Sequence, residues 1–284
     1  MKHTLVYKTY HETQRAYFYG DQIFLRELLK DHVIERTVYP DLRDLEGAIV
    51  SVRACENLSY IDQFNKDTKH LKWLIVVVTG NEDSSNFYRG VTHPNHRIWL
   101  QNPNQTDEAD RYLPLGYPTP FEPPKEKRIY DWFFSGQITH PRRKDLAATL
   151  KDVKGGLFIE TDGFDKGLPH AEYIKKMAQS EVVLCPGGAV TPDTYRIYEA
   201  LECGCIPIID EKSGYRRFHK DYWEKIFGEH PLITVDEWDY ELYGILEELS
   251  VSYEEKQKEI VKWWSQYKKN LVKNLLLDIK ELSK

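Results

Sequence analysis

Residues 182–210 allow few arrangements of the backbone. Val182-Val183-Leu184-Cys185 runs into Pro186-Gly187-Gly188, and Ile206-Pro207-Ile208-Ile209-Asp210 closes the block. Short Val- and Ile-rich runs bounded by turn residues read as strands buried on both faces, as in a parallel sheet. The segment between them reads as a short helix with Thr191 as its cap, Pro192 at its first position and Gly204 as the left-handed residue past its end. Thr194, Arg196 and Glu199 lie near the start of that helix, and residues three apart share a face. A cation beside the free N–H groups of a helix start suits a diphosphate, and a neighbouring carboxylate suits ribose hydroxyls.

This block, Cys185-Pro186-Gly187-Gly188 followed by Arg196-Ile197-Tyr198-Glu199-Ala200-Leu201 and Gly204-Cys205-Ile206-Pro207-Ile208-Ile209, resembles the exostosin-like glycosyltransferases. It resembles the fucosyltransferases more distantly. The resemblance covers roughly residues 130–212, and Asp193 stands where related sequences more often carry a small hydroxyl residue. It implies an α/β chain of the GT-B class: two Rossmann-like parallel-sheet lobes with a cleft between them, the donor held mainly by the second. The expected lobes are residues 1–120 on the acceptor side and 121–284 on the nucleotide-sugar side, the latter including a terminal helix. The resemblance further implies a hexosyl- or pentosyltransferase using a nucleoside diphosphate sugar, with UDP favoured.

The rest of the sequence fits two α/β layers. Strands are expected at His3–Lys8, Gly47–Val52, Leu74–Val78 and Arg97–Leu100, with helices at Asp21–Asp31 and Ile61–His70. Residues 113–126 hold five prolines in 14 positions and read as an interdomain connection. A second layer follows, with strands at Trp132–Gly136 and Gly156–Glu160 and helices at Arg142–Lys151 and Ala171–Gln179. Ile260, Trp264, Tyr267, Leu271, Leu275, Ile279 and Leu282 recur at helical spacing, which predicts a long helix from Glu254 to Leu282.

Within Phe134-Ser135-Gly136, a strand meets a glycine turn, and Arg142 and Arg143 open the next helix. Gly136 would let a ligand approach the backbone, and either arginine would neutralise phosphate. With Arg196 on the neighbouring βα unit, these residues form a site at the carboxyl ends of parallel strands. The expected donor site is therefore Gly136, Arg142, Arg143, Pro186, Gly187, Gly188, Thr194, Arg196 and Glu199. The loop opening at Asp210 is expected to line the same cleft.

Missing patterns narrow the chemistry. No Asp-x-Asp occurs, nor a second Glu eight residues after Glu199, nor a Gly-x-Gly-x-x-Gly or phosphate-loop segment. The expectation is an inverting transfer without a metal or other cofactor, in which a carboxylate or a His deprotonates the acceptor hydroxyl. Candidate bases follow buried strands of the first layer: Glu82 and Asp83 first, then Asp21, with Glu56 also in such a loop.

The acceptor is open between a glycan and hydroxymethylated DNA, the latter as in phage-type glycosyltransferases. The chain has net charge −6, yet it has basic clusters at 125–128, 142–144 and 216–220 and eight Lys against five acidic residues in 254–284. A binding module without turnover is the reading from another class. Four Cys without disulfide or zinc spacing, no leader segment and no membrane-length apolar run point to a soluble protein of a reducing compartment. The expected location is the cytoplasm, or a host's cytoplasm for a phage-encoded chain.

Overall fold

A computed structural model describes residues 3–7, 22–36, 42–53, 60–83, 87–163, 166–217 and 219–284. The chain divides into two compact units, Met1–Pro120 with Tyr267–Lys284, and Phe121–Gln266.

Unit 1 is built on a parallel sheet. Its strands are β1 (His3–Tyr7), β2 (Val33–Arg36), β3 (Gly47–Arg53), β4 (Trp73–Thr79), β5 (His96–Leu100) and β6 (Arg111–Tyr112), in the order β2-β1-β3-β4-β5-β6. Every pairing is parallel, and β3 matches β4 from Gly47 opposite Trp73 to Arg53 opposite Thr79. All seven residues of β4 are buried, so its Trp-Leu-Ile-Val-Val-Val run has apolar neighbours on both faces. Helices α1 (Ile23–Leu29) and α2 (Ile61–Thr68) connect strands, and Phe64 of α2 packs edge-on against Phe87 at 5.4 Å. The helix expected from Asp21 starts at Ile23, and Asp21 and Glu56 lie outside the described residues.

The proline-rich segment is not a free connection along its length. Leu113, Leu115 and Tyr117 are buried in unit 1, and the Gln101 amide donates to the Pro114 carbonyl at 3.1 Å. Gly116 has φ +74°, and a Cβ there would lie 2.1 Å from Phe24 Cβ. Apolar side chains alternating with the prolines draw this stretch into the core.

Unit 2 carries β7 (Tyr130–Gly136), β8 (Leu157–Glu160), β9 (Ser180–Cys185), β10 (Ile206–Asp210) and β11 (Ile233–Val235), in the order β11-β10-β9-β7-β8. Again all pairings are parallel. Its helices are α3 (Pro141–Thr149), α4 (His170–Ala178), α5 (Tyr195–Glu202) and α6 (Tyr222–Phe227). Since β7 is flanked by β8 on one side and β9 on the other, the connections reverse direction between β7 and β9. That is the switch point at which an open α/β sheet forms a ligand crevice.

Helix α7 (Glu241–Leu282) is 42 residues long and begins well before the expected Glu254. Its early part carries Gly244 and the exposed Val251, which blur the helical pattern read from sequence. Residues through Gln266 belong to unit 2 and those from Tyr267 to unit 1. Thus the terminal helix is divided between the units, where the sequence assigned it wholly to the second. In unit 1, Asp278 of α7 accepts from Trp99 Nε1 at 3.0 Å and pairs with Arg111 at 3.1 Å. The architecture is two Rossmann-like parallel-sheet units and a long C-terminal helix, the class expected from sequence. Among the described residues no helix is long and apolar enough to cross a membrane.

Arg128 fastens the far end of the unit 2 helices. Its guanidinium donates to the carbonyl of Ala178, where α4 ends, and to those of Cys203 and Gly204 just past α5, at 2.8 and 2.9 Å. Helix ends leave carbonyls without partners, and a cation there also complements the helix dipoles. Arg128→Met should destabilise the protein by about 2 kcal/mol, the scale of lost charge-assisted hydrogen bonds. Urea unfolding followed by circular dichroism measures it, and an unchanged midpoint contradicts the capping role.

Candidate active site

Helix α5 starts three residues later than its sequence suggests. Thr194, in extended conformation, is the cap and Tyr195 the first helical residue. The preceding residues are taken up by turn packing. A Cβ on Gly187 would lie 2.2 Å from the Lys212 carbonyl oxygen, and one on Gly188 would lie 2.8 Å from that of Asp193. The glycines in Pro186–Gly188, placed in the donor site by the sequence reading, make room for neighbouring backbone. The Asp193 carboxylate turns inward, accepting from Tyr198 Oη at 2.9 Å.

Arg142 corrects a second expectation. It is fully buried, with Nε and Nη2 donating to the two oxygens of Asp210 at 3.0 and 2.7 Å. Glu237 and the Asp236 carbonyl take its remaining reach, at 2.5 and 2.8 Å. A fully buried guanidinium with four of its five N–H groups so occupied is not placed to hold a phosphate. Asp210 likewise faces inward instead of lining a cleft: it also accepts from Gly187 N, Lys212 N and Trp238 Nε1 at 3.0, 2.9 and 2.7 Å.

Arg143 and Arg196 are placed differently. Both come to the end of β7, where a Cβ on Gly136 would lie 2.8 Å from Arg196 Nη2 and 3.8 Å from Arg143 Nη1. Glycine at this position is what lets the two guanidiniums converge. Arg196 is 8% exposed, lies 4.8 Å above the Phe134 ring and donates from Nη2 to the Ser135 carbonyl at 2.7 Å. Arg143 Nη1 donates to the Gln137 carbonyl at 3.1 Å. Arg196 Nε and Nη1, Arg143 Nε and Thr194 Oγ1 are buried without any hydrogen-bond partner. Burial, and then the charge of Arg196, push Arg143 down to about 10, so it stays cationic at neutral pH. Two like charges, one buried and one half-buried, with unused donors are an arrangement that a bound anion would satisfy.

Glu199, 5% exposed, stands one helical turn along from Arg196. Tyr173 Oη donates to its Oε2 at 3.1 Å, and His170 Nε2 lies 3.5 Å from its Oε1. Burial, and then the Glu199 charge, raise the Tyr173 phenol well above its ordinary value, so it remains a donor. His170 and Tyr173, on α4, stand far in sequence from Glu199 of α5, and no spacing signals their meeting.

The candidate bases belong to unit 1. Glu82 is exposed and, with the backbone of Asp83, occupies the short turn Asn81–Asp83 after β4. Next to it, sequence reasoning missed a buried polar cluster. Asp107 accepts from Asn81 Nδ2 at 2.8 Å, Tyr88 Oη at 3.0 Å and Asn104 N at 2.8 Å. Among the described residues, no group of three or more His, Cys, Asp or Glu side chains is placed to hold a metal ion. The basic clusters are also partly consumed internally, with Arg128 on helix ends, Arg142 on Asp210 and Arg216 on Asp145 at 2.7 Å.

Residues 162–282 match the family described as the RXYLT1 C-terminal domain. An α1,3-fucosyltransferase crystallised with GDP aligns over 94% of this chain and 90% of its own, at 13% identity and TM-score 0.44. HepE of Anabaena, crystallised with UDP, aligns over 97% and 99% at 9% identity and TM-score 0.40. No curated protein matches the sequence significantly.

Removing the carboxylate charge with Asp210→Asn should cost about 3–5 kcal/mol, because Arg142 would lose its one fully buried counterion and keep only the partly exposed Glu237. Thermal and urea denaturation measure this. A loss below about 1 kcal/mol would show that the pair does not organise these loops.

Proposed function

We propose that the chain is a glycosyltransferase whose unit 2 binds a nucleoside diphosphate sugar. One observation carries the reading: Arg143 and Arg196 converge over Gly136 at the sheet's switch point with buried N–H groups unused. In this reading the two guanidiniums and the start of α5, with Thr194, hold the diphosphate. Glu199, steadied by Tyr173, accepts from the ribose hydroxyls. The match of residues 162–282 to the RXYLT1 C-terminal domain, which spans α5 and Glu199, agrees with it.

The chemistry is a displacement at the anomeric carbon. The acceptor hydroxyl oxygen bonds to that carbon as the bond to the β-phosphate oxygen breaks, and the electron pair leaves with the diphosphate. Fixed guanidiniums stabilise the growing negative charge on the leaving group, so the step is proposed to need no metal. A single displacement inverts the anomeric configuration. A carboxylate takes the acceptor proton, and the acceptor class proposed is a glycan.

Thermal denaturation with UDP, GDP, CMP and dTDP, without metal, tests the reading. One nucleoside diphosphate at about 100 times its dissociation constant should stabilise the wild type by about 2.7 kcal/mol, a rise of several degrees. Arg196→Ala and Arg143→Ala should each weaken that binding by about 10- to 100-fold, the scale of lost hydrogen bonds to charged groups. Arg142→Met, by contrast, should lower stability first. No shift with any nucleotide would sink the proposal, and donor binding without turnover on any acceptor would reduce it to a binding module.

A further inference from the structure

His140 has no part in the account so far. It is the residue before α3, four positions beyond Gly136, and is 4% exposed. Its position is fixed from both sides. The His140 carbonyl accepts from Arg143 N and Lys144 N at 3.1 Å, and Arg142 N donates to the Gly214 carbonyl at 3.3 Å. Gly214 lies against the imidazole so closely that a Cβ would be 2.6 Å from Nδ1 and 2.7 Å from Cγ. The ring is thus held by backbone, the Gly214 backbone is the polar group that reaches it, and at least one ring nitrogen is left without a hydrogen bond within the protein.

A buried imidazole with a nitrogen left unused is costly and requires an explanation. A structural histidine in the core has both nitrogens satisfied, as His93 shows in unit 1, where Nε2 lies 2.9 Å from the Leu71 carbonyl and Nδ1 accepts from Asn95 N at 3.2 Å. The surroundings of His140 select its state. Burial, then the Arg143 charge, lower its pKa to about 4 against the opposing pull of the Gly214 backbone, with Arg196 acting in the same direction as Arg143. The charged groups that act on it are the Arg143 and Arg196 cations, and the loop after β10 lays Gly214 and the tilted ring of Tyr215, at 6.4 Å, against it. A third cation here would add repulsion to an already strained pair. A neutral ring adds a hydrogen-bond donor without adding charge.

We infer that His140 is a further ligand-contacting residue of this site: its ring N–H donates to a phosphate oxygen of the diphosphate held by Arg143 and Arg196. This rests on the nucleoside diphosphate reading above. The neutral donor lets the site bind without first taking up a proton, and bound oxygen satisfies the nitrogen that the fold leaves open.

The test uses the full chain and UDP, or GDP or dTDP if one of those is the nucleotide that stabilises the wild type. Isothermal titration compares wild type, His140→Leu, His140→Gln and Arg196→Ala. His140→Leu should bind about 5- to 10-fold more weakly, the scale of one neutral hydrogen bond, and His140→Gln should stay within about twofold of wild type. Unliganded, His140→Leu should melt no lower than wild type, because it removes an unsatisfied polar group. A second measurement covers a variant that folds poorly. In wild type labelled with 15N-histidine, the His140 ring should stay neutral at pH 6.5, and one ring N–H should move downfield and exchange more slowly with nucleotide present. Wild-type affinity in His140→Leu together with lost affinity in Arg196→Ala would overturn the His140 assignment alone, as would ring resonances unmoved by a bound nucleotide. Failure of the wild type to bind any of these nucleotides would overturn the diphosphate reading, and this inference with it.

Discussion

The buried pairing of Arg142 with Asp210 organises the site end of unit 2. Asp210 ends β10, and its carboxylate accepts from α3, from the turn after β9, from its own loop and from Trp238. Trp223 Nε1 also donates to the Asp210 carbonyl, at 2.9 Å. A carboxylate and a guanidinium removed from water are tolerable only when almost every donor and acceptor is matched, and here they are. The consequence is rigidity where strands hand over to loops. The turns that carry Gly187, Gly188 and Gly214 pack backbone against backbone and cannot drift independently.

That rigidity has an electrostatic counterpart along α5. Arg128 collects the carbonyls just beyond the helix, whereas Thr194 and Arg196 stand at its start. The dipole is therefore answered by protein at its negative end, and at its positive end buried donors stay unused. Phe134 supports the Arg196 guanidinium from below, and Gly136 leaves the space into which it and Arg143 extend. Holding two cations together in the absence of an anion costs stability, a common feature of sites shaped for a ligand.

Much of the fold was legible because parallel strands are buried on both faces. The runs at Leu74–Val78, Val182–Cys185 and Ile206–Ile209 leave no alternating polar face, and each is a strand within a residue or two of its expected ends. The short edge strands β2, β6 and β11 were not legible, since two to four residues give no period to detect. The start of α5 was misread because Thr191 and Pro192 have capping chemistry, yet they are buried beneath the glycine turn and Thr194 caps instead.

The sequence by itself determined two parallel α/β layers, a long final helix and a strand–turn–helix carrying Arg196 and Glu199 on one face. These follow from hydrophobic period and local turn chemistry, which act over a few residues. Only the tertiary structure decided which arginine serves which purpose. Arg142 and Arg143 are neighbours in sequence, but successive residues on a helix point about 100° apart. One consequently turns into Asp210 and the other toward Gly136 and Arg196. The same holds for Tyr173 meeting Glu199 and for Gly214 closing on His140. Such contacts join segments far apart in the chain, and the order of strands in the sheet brings them together.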